Sequence, residues 1–499
     1  MMGRQAKGQQ LKMFYQGFSL EHRVRADHPL RRINEIIDFD FIYNGVAQTY
    51  GVNGNVSVPP PVILKLMLLL ILYNVRSERE LMVTIPERLD WSWFLGLDLD
   101  EPIPDHSVLS KARARWGSAA FKGFFERIVW QCVDSGLVNG SKIFMDSSLI
   151  RADASRSSVV KTKGLRRYIR HCYRVFEGRL DGDSQPDWED QRVNATHVST
   201  TDPDCATVRH KVGPALPSYK VHRAVDAQSE VITAAEVTPA DVNEAHLLPD
   251  LVDEHNENTE KQARTVVADS QYGNAKNYLE CHDRDIEAHI PPRNNQKKGI
   301  FPDEAFKYDP QDDTYVCPRG NRLKCRRYSK RDTTFEYQCL ARVCKACSLR
   351  DRCTTSKKKG RTIQRHLRHD EIQQMRERAK GPASRKDIKT RQHLMERSFA
   401  KAVRLGFKRA RWRRLWRVQI QEYLTAAIQN ILILVRNVKE PCPAKVMALP
   451  KRREPPYDAA RMGDLISRVR SFPPVSTFFS ILVGVWSPLG GCRAVLQPF

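Results

Sequence analysis

The segment from about Ser141 to Pro291 constrains the fold most, because short apolar runs and helical patterns alternate along it. The run KIFMDSSLIRADAS predicts a buried strand that reaches Asp146. Two alternating strands follow, separated by a turn at residues 226–230 and succeeded by a helix. The run TVVAD then predicts a strand ending at Asp269, followed by a Gly-containing turn, a helix and another short strand. This order predicts an α/β fold with a mixed sheet.

Three carboxylates have local contexts that suit metal binding. Asp146 and Asp269 each follow an apolar run, and ligands bind at strand ends in open α/β sheets. Glu396 lies in a basic helix pattern from Thr390 to Ile431, and a helix packed over the sheet can bring it to the other two. Carboxylate oxygens without a histidine favour Mg²⁺ or Mn²⁺ over Zn²⁺. Two such ions about 4 Å apart can activate water or a DNA 3′-hydroxyl.

Other carboxylates nearby compete for these positions. Asp153, seven residues after Asp146, is a rival for the first position, but the apolar run ends at Asp146. Glu422 lies in a QEYLTAA stretch that indicates structural packing, and Asp226 at a strand end indicates a turn residue. The preferred set therefore remains Asp146, Asp269 and Glu396.

The charge balance indicates a polyanionic partner. Lys plus Arg number 82 against 58 Asp plus Glu, a net charge of +24. Nucleic acid is the commonest partner of such a surface, whereas a merely basic soluble protein is the alternative. Trp412 and Trp416, within the most basic stretch, are expected to pack on the core. The residues expected to contact DNA phosphates are Arg391, Lys401, Arg404, Lys408, Arg409, Arg411, Arg413 and Arg414.

The amino-terminal part predicts a helical domain. The apolar run from Val62 to Tyr73 is too short to span a bilayer and contains Lys65, so it predicts a buried helix. No run of signal-peptide character precedes it, which favours a cytoplasmic protein. The turn from Pro102 to Ser107 leads into a basic helix. This pattern is typical both of helix pairs that enter DNA grooves and of other helical interaction domains.

A cysteine-rich stretch interrupts the α/β pattern. Six of the chain's twelve cysteines lie between residues 317 and 353, and a cytoplasmic location favours thiols or metal over disulfides. The CxxC pair Cys344–Cys347, with Cys317 and Cys353, predicts a four-cysteine Zn²⁺ site. Cys339 or Cys325 could replace one ligand, and metal-free structural thiols are the alternative reading.

These patterns predict five parts of the chain. Gly164 to about Pro217 is weakly patterned and is interpreted as an insertion or loop. The predicted parts are a helical domain at 15–135, for which DNA binding is one interpretation, an α/β core with both Asp residues at 141–295, a Cys-rich insertion at 296–368, a helical part with Glu396 at 369–440 and an irregular tail at 441–499.

The motifs together resemble those of bacterial insertion-sequence transposases of the DDE class, from about Phe14 to Lys439. PPPVILKLMLLLILYNVRSERELMV resembles their amino-terminal helical domain, FMDSSLIRADAS their first-Asp motif and VVADSQYGNAKNY their second. RQHLMERSFAKAV resembles their Glu motif, with an Arg before Glu396 and a Phe after it. Many members also carry a Cys-rich insertion before the Glu. Two positions depart from the family: Ala400 replaces a usual Gly, and Val403 replaces a usual Lys that holds transposon-end DNA.

The resemblance implies an RNase H-like mixed sheet flanked by helices, with an all-α amino-terminal domain and a small Cys-rich insertion. It implies that Asp146, Asp269 and Glu396 bind Mg²⁺ or Mn²⁺ and carry out DNA cleavage and strand transfer. The expected partner is double-stranded DNA, both the terminal repeats of the element and target DNA, bound by a homodimer. The alternatives are a catalytically decayed, sequence-specific DNA-binding protein of the same fold, and a nuclease that does not join DNA.

Overall fold

Strand β1 (Lys142–Arg151) is the centre of a six-stranded mixed sheet. It pairs antiparallel with β5, which also pairs with β4 and β6, and parallel with β7, which continues to β8. The order β6-β5-β1-β7-β8, three antiparallel strands followed by two parallel ones, is that of an RNase H-like sheet. The other strand bounds are β4 Ala206–Arg209, β5 Ala215–Asp226, β6 Ile232–Pro239, β7 Thr265–Val267 and β8 Glu287–His289.

The computed structural model describes residues 1–4, 19–51, 54–161, 197–209, 213–293, 299–356 and 358–438. All of these lie in one unit, Met1–Cys442, and the second unit, Pro443–Phe499, falls outside them. The predicted irregular tail therefore lies outside the described residues, as does most of the predicted 164–217 loop.

Two sequence predictions about strands were wrong. β1 does not end at Asp146 but runs on to Arg151, because its second half pairs with β5 from Ser218 to His222. The described part of the 164–217 stretch is not simply a loop. It contains β3 (His197–Ser199), which pairs with β2 (Val159–Lys161), and β4, which pairs with the start of β5.

The amino-terminal region is helical, as predicted. Helix α4 (Pro60–Leu72) is buried along almost its whole length, with Pro residues at its first turn. The ammonium of Lys65, inside this helix, donates to Asn34 Oδ1 at 2.8 Å and to the Phe94 carbonyl at 2.9 Å. Burial lowers the pKa of Lys65 to about 8. The other bounds are α1 Leu20–Arg23, α2 Pro29–Ile36, α3 Phe41–Val46, α5 Glu78–Thr84, α6 Leu89–Leu95 and α7 Ser107–Asp134, which is kinked at Gly117.

The helices of the α/β core flank the sheet. Helix α13 packs against α4, α7 and β6, and its residues form part of the largest hydrophobic cluster of the described chain. It is long and apolar enough to cross a membrane, but 83% of its apolar window is buried within the protein, as in a core helix. The bounds are α8 Leu248–Thr259, α9 Ala275–Asp283, α11 His369–Arg378, α12 Pro382–Arg404 and α13 Leu415–Asn437.

The helix predicted over residues 390–431 is interrupted. It divides into α12 and α13, and the break lies between Leu405 and Arg414, where Gly406 and Arg414 have φ values of +85° and +80°. Within the break, the Ala410 N–H donates to the Arg151 carbonyl at 2.7 Å, so that part of the chain lies along the end of β1. Tertiary hydrogen bonds therefore replace helical ones here.

The Cys-rich insertion is a separate small sheet with its own hydrophobic cluster. Five antiparallel strands follow the order β13-β12-β11-β10-β9, and the short helix α10 (Ala341–Lys345) carries Cys344. The strand bounds are β9 Lys307–Asp309, β10 Thr314–Val316, β11 Arg322–Ser329, β12 Thr334–Gln338 and β13 Thr362–His366.

Candidate catalytic centre

Asp146 lies on β1, and Asp269 lies two residues beyond the end of the neighbouring parallel strand β7. The β1–β7 pairing ends at Phe144 opposite Val267, and two further residues along each strand place Asp269 opposite Asp146. The backbone of Asp269 is still extended, with φ −81° and ψ 177°. Residues directly opposite on adjacent strands are about 4.8 Å apart and point to the same face of the sheet. That both carboxylates bind one ion stays a prediction, with which the register of β1 against β7 is compatible.

Asp146 lies in a largely buried environment beside a guanidinium. Its Oδ2 is 2.8 Å from Arg391 Nη1 on α12, and the same Arg391 nitrogen donates to the Met145 carbonyl at 3.4 Å. The pKa of Asp146 is raised to about 6, chiefly by burial, with a smaller contribution from the carboxylates of Asp269 and Glu244. Arg391 opposes this rise, because its positive charge favours the ionised form.

The loop after Asp269 is fixed by hydrogen bonds and close packing. The Asp269 carboxylate accepts the Gln271 N–H at 2.9 Å and so caps a short 3₁₀ turn, Ser270–Tyr272. A Cβ on the next residue, Gly273, would lie 2.3 Å from the Pro291 carbonyl, so no side chain fits there. Tyr272 itself is fully buried, so this side chain packs inside the protein.

Sequence reasoning missed Glu244, a further carboxylate at this site. It begins the 3₁₀ turn Glu244–Leu247 directly after β6, and its carboxylate accepts a hydrogen bond from Ser147 Oγ, the residue next to Asp146. Its sequence context, VTPADVNEAHLL, indicated only the start of a helix. Its proximity to the first Asp depends on the packing of that turn against β1, which no local pattern reveals.

Glu396 lies on the solvent-exposed side of α12. Its Oε1 accepts from Gln392 Nε2 at 3.4 Å, one turn earlier on the same helix. Among the described residues, no hydrogen bond or ion pair joins Glu396 to either Asp, whereas Arg391 on the buried side of α12 reaches Asp146 directly. The role of Glu396 as the third ligand thus stays a prediction.

A buried ion pair connects the sheet to α12 and α13. Arg223 lies opposite Asp146 on β5, and its guanidinium bonds Glu422 of α13 at 2.5 and 2.9 Å, with both side chains fully buried. Arg223 Nη1 also donates to Ser398 Oγ of α12 at 3.1 Å. Glu422 is therefore structural, as its sequence context indicated.

The predicted DNA-contacting residues divide into internal and exposed ones. Arg391 bonds Asp146, and Arg411 donates to Asn74 Oδ1 and the Val75 carbonyl at 2.6 and 2.5 Å. Lys401 is half-buried and pairs with Glu230 at 3.0 Å. Five basic side chains of residues 404–414 are exposed and form what we call the 404–414 basic surface: Arg404, Lys408, Arg409, Arg413 and Arg414.

Acidic side chains form ion pairs with three of the five residues of this surface. Asp153 pairs with Arg409 at 2.8 Å and with Arg413 at 3.1 Å, and Asp204 pairs with Arg414 at 3.3 Å. Asp153, the rival for the first catalytic position, thus lies at the basic surface. It is not opposite Asp269, because it follows the end of β1.

The tryptophans pack inward, as expected. Trp412 and Trp416 lie against the largest hydrophobic cluster, and Trp412 Nε1 donates to Glu78 Oε1 at 3.1 Å. The Arg113 guanidinium lies 3.9 Å from the centre of the Trp412 ring and pairs with Glu78 at 2.6 Å. Arg113 is buried, so this residue of the predicted groove-entering helix is used inside the protein.

Five cysteine side chains of the insertion line one cavity of about 20 Å³, roughly the space of a single small ion or water. Burial raises the pKa of Cys339 to about 12, with its neighbours Cys344 and Cys317 adding to the rise. Cys325 is exposed and does not line the cavity. The cysteines around the cavity are Cys317, Cys339, Cys344, Cys347 and Cys353.

A second polar cluster does not include Asp146, Asp269 or Glu396. Within the described ranges, His282, Asp283 and Glu371 form the group of three metal-type ligands whose atoms all lie within 4.8 Å of one another. Arg368 already pairs with Asp283 and Glu371. This cluster is therefore an ion-pair network at the junction of α9 and α11.

Comparison with known proteins identifies the family. A model of the family described as "Transposase domain (DUF772)" matches residues 18–115, and one described as "Transposase DDE domain" matches residues 193–431. A solved structure, the piggyBac transposase in a synaptic complex with hairpin DNA, aligns with 8% identity and a TM-score of 0.35 over 82% of this chain and 75% of that one. No curated protein matches the sequence. The two family models together cover more than half of the chain, and the chain belongs to the DDE transposases.

Proposed function

We propose that this protein binds the ends of its own insertion sequence and cuts and joins DNA there, with Asp146, Asp269 and Glu396 as ligands for two Mg²⁺ or Mn²⁺ ions. The observation that supports the proposal is the strand register, in which β1 pairs with β7 up to Phe144 and Val267, two residues before Asp146 and Asp269. Two buried polar atoms at this place, Arg391 Nε and Tyr272 Oη, have no hydrogen-bond partner among the described residues. The donors are carboxylate oxygens, the ligand type that Mg²⁺ prefers.

The chain's own residues position the proposed metal ligands and supply the charges around them. When bound, the ions activate the attacking hydroxyl and stabilise the leaving oxygen of the phosphodiester. The sheet fixes Asp146 and Asp269, and Arg391 holds the Asp146 carboxylate in place from α12. The Arg223–Glu422 pair anchors α12 and α13 to the sheet, and Glu396 lies on α12 five residues after Arg391. Exposure of the Glu396 carboxylate leaves it accessible to an ion and to DNA.

The proposed partner is double-stranded DNA, first the terminal repeats of the element and then target DNA. The 404–414 basic surface follows α12 directly, so phosphate contacts there would lie close in the chain to Glu396. A homodimer would engage two ends at once, and the protein would act in the cytoplasm. A net charge of +24 supports the attraction to DNA.

The experiment that tests this function is cleavage and strand transfer on DNA carrying the element's ends, with Mg²⁺ present. Asp146→Asn, Asp269→Asn and Glu396→Gln are each expected to abolish both reactions while end binding persists. Asp134→Asn, which changes an exposed carboxylate at the end of α7, is the matched control and should remain active. Activity in any of the three site variants would show that this residue was wrongly assigned.

The same experiment separates the alternatives. Val403, at the family's Lys position, is 47% exposed and offers no charge to DNA, which favours a decayed copy as the second candidate. A wild-type protein that binds ends but never cuts them would support that candidate. A wild-type protein that cuts but never inserts a 3′-hydroxyl end into target DNA would be a nuclease.

We also propose that the Cys-rich insertion binds one Zn²⁺ through Cys317, Cys344, Cys347 and Cys353. All four line the same cavity as Cys339, which is a fifth candidate ligand. Four sulfur ligands around one small cavity suit tetrahedral Zn²⁺. A structural ion of this kind would stabilise the insertion without taking part in the reaction.

Metal content measured by mass spectrometry tests the zinc site. The purified protein is expected to hold about one zinc ion per chain. Cys344→Ser and Cys347→Ser should lose it, whereas Cys325→Ser, on the exposed strand β11, should keep it. Retention of zinc by Cys347→Ser, or its absence from the wild type, would support metal-free thiols instead.

A further inference from the structure

Glu244 lies where a fourth acidic ligand of the catalytic centre would lie. Its carboxylate bonds the hydroxyl of Ser147, which is adjacent to Asp146 on β1. Glu244 and Asp269 are the two carboxylates whose charges act on Asp146, and both also act on Tyr272. The charges of acidic side chains from three separate segments therefore meet at Tyr272, just beyond the end of β7.

The backbone at Glu244 is held rigidly beside the loop of Asp269. Asn277, which is buried in α9, donates to the Ala245 carbonyl at 2.9 Å and to the Tyr272 carbonyl at 3.0 Å. One amide group thus connects the turn that begins at Glu244 with the turn that follows Asp269. Asn243 further caps the Glu244 turn by accepting the Ala245 N–H at 3.1 Å. The Glu244 carboxylate is consequently a fixed part of the site and not a mobile surface group.

The acidic side chains whose charges act on Tyr272 outnumber the cationic ones. Arg391 is the guanidinium whose charge acts there, and it pairs with Asp146. The hydroxyl of Tyr272 is fully buried among the Glu244, Asp146 and Asp269 carboxylates and has no hydrogen-bond partner within the described part of the chain. A buried hydroxyl without a partner costs free energy unless something else occupies the space beside it. A hydrated divalent cation between the carboxylates would supply that partner.

We propose that Glu244 is a fourth carboxylate of the catalytic centre and binds a divalent cation together with Asp146 and Asp269. The inference rests on the proposed function, because it takes those two Asp residues to be metal ligands. Glu244 lies in the turn between β6 and α8, whereas Glu396 lies on α12. It is therefore independent of Glu396 and adds to it.

The test is Mn²⁺ binding to the full chain without DNA, followed by electron paramagnetic resonance of free Mn²⁺. Glu244→Gln is expected to raise the Mn²⁺ dissociation constant at least about tenfold, as loss of a ligand or its close support does. Glu257→Gln removes an exposed carboxylate from α8 and serves as the matched control, with no expected change. Asp146→Asn is the reference for loss of a ligand.

The outcomes separate the two proposals. Weaker binding in both Glu244→Gln and Asp146→Asn, with Glu257→Gln unchanged, supports a ligand role for Glu244. Wild-type affinity in Glu244→Gln together with weak binding in Asp146→Asn would overturn the inference and leave the proposed function standing. Unchanged binding in Asp146→Asn and in Asp269→Asn would instead overturn the metal assignment of the proposed function.

A second variant covers the case in which Glu244→Gln fails to fold. Ser147→Ala removes the hydroxyl that holds the Glu244 carboxylate but keeps every acidic group. If Glu244 binds the ion, this change should weaken Mn²⁺ binding by about tenfold, as loss of a group that supports a metal ligand does. A Ser147→Ala protein that melts like wild type and binds Mn²⁺ equally well would contradict the inference.

Discussion

The Arg223–Glu422 pair is the most deeply buried ion pair of the described chain, with both side chains at 0% exposure. Replacing Arg223 by Met should lower the free energy of unfolding by about 3–5 kcal/mol, because Glu422 then remains buried without a counter-charge. Urea unfolding followed by tryptophan fluorescence measures the loss. The double change Arg223→Met with Glu422→Leu should recover most of it. Arg436→Met, at an exposed position of α13, is the control and should change stability by less than about 0.5 kcal/mol.

Glu254 gives the protein a pH-dependent stability. Burial raises its pKa from 4.5 to about 8, and the neighbouring Glu236 and Glu126 add to the rise, whereas Lys122 at 3.4 Å opposes it. A raised pKa means that the folded protein binds the proton more tightly than the unfolded chain. The stability from Glu254 is therefore complete below pH 4.5 and is lost as the pH rises through about 8.

The variant Glu254→Gln should show a smaller fall in melting temperature between about pH 5 and pH 8 than wild type shows, since the amide does not titrate. Calorimetry at several pH values measures this difference. Glu257→Gln, exposed on the same helix, should keep the wild-type pH dependence. A Glu254→Gln protein with the wild-type profile would mean that Glu236, whose pKa burial raises to about 7, dominates instead.

At the residue scale, sequence reasoning found the acidic side chains that follow apolar runs and missed the one that depends on tertiary packing. Asp146 and Asp269 stand out because KIFM and TVVA precede them. Glu244 has no such context and reaches β1 only because its turn packs beside Tyr272 and Asn277. The sequence also could not show that Arg391 faces Asp146, since helical spacing alone does not define which face of α12 meets the sheet.

At the element scale, the break between α12 and α13 is the main departure from local expectation. The residues around it are good helix formers apart from Gly406, so the sequence predicted one helix. Bonds from Arg411 to Asn74 and Val75, and from Ala410 to Arg151, override that propensity. Apart from β4, which lies in the stretch interpreted as a loop, the strands and helices of the sheet region were predicted correctly in type, because their apolar periodicity is set by the two faces that each element buries.

Gly406 makes this break possible and offers a test of it. Its φ is +85°, and a Cβ there would lie 2.1 Å from Asn74 Oδ1. Gly406→Ala should therefore lower the free energy of unfolding by about 1–3 kcal/mol, through backbone strain and through displacement of Asn74. Thermal unfolding measures the effect.

Two companion variants separate the causes of the Gly406 effect. Adding Asn74→Ala to Gly406→Ala removes the close contact but leaves the positive φ, so part of the loss should persist. Gly45→Ala is the matched control, because Gly45 lies in helix α3 with nothing within 4 Å of the new Cβ. That change should be neutral or stabilising by about 0.5–1 kcal/mol. Equal losses at both glycines would contradict the argument from backbone conformation.

At the scale of the whole molecule, the side chains of the 404–414 basic surface remain exposed to solvent. The helical amino-terminal domain packs against α13 through apolar contacts, and the basic residues after α12 remain exposed, apart from the internal Arg411. The sequence predicted this division between buried tryptophans and exposed arginines, since Trp412 and Trp416 are the apolar members of a basic stretch. Which arginines are internal could be known only from the structure.

The 404–414 basic surface should determine the salt dependence of DNA binding. Each phosphate contact releases condensed counterions, so each lost contact should reduce the slope of log K against log salt by about 0.9. The triple variant Arg404→Gln, Lys408→Gln and Arg409→Gln is therefore expected to bind end DNA more weakly and with a shallower slope. Fluorescence anisotropy over a range of salt concentrations measures both the affinity and the slope.

A control triple variant of the same net charge, Arg25→Gln, Arg79→Gln and Arg436→Gln, changes exposed side chains outside this surface and should keep the wild-type slope. Equal slopes in the two triple variants would show that the phosphates contact another face of the protein.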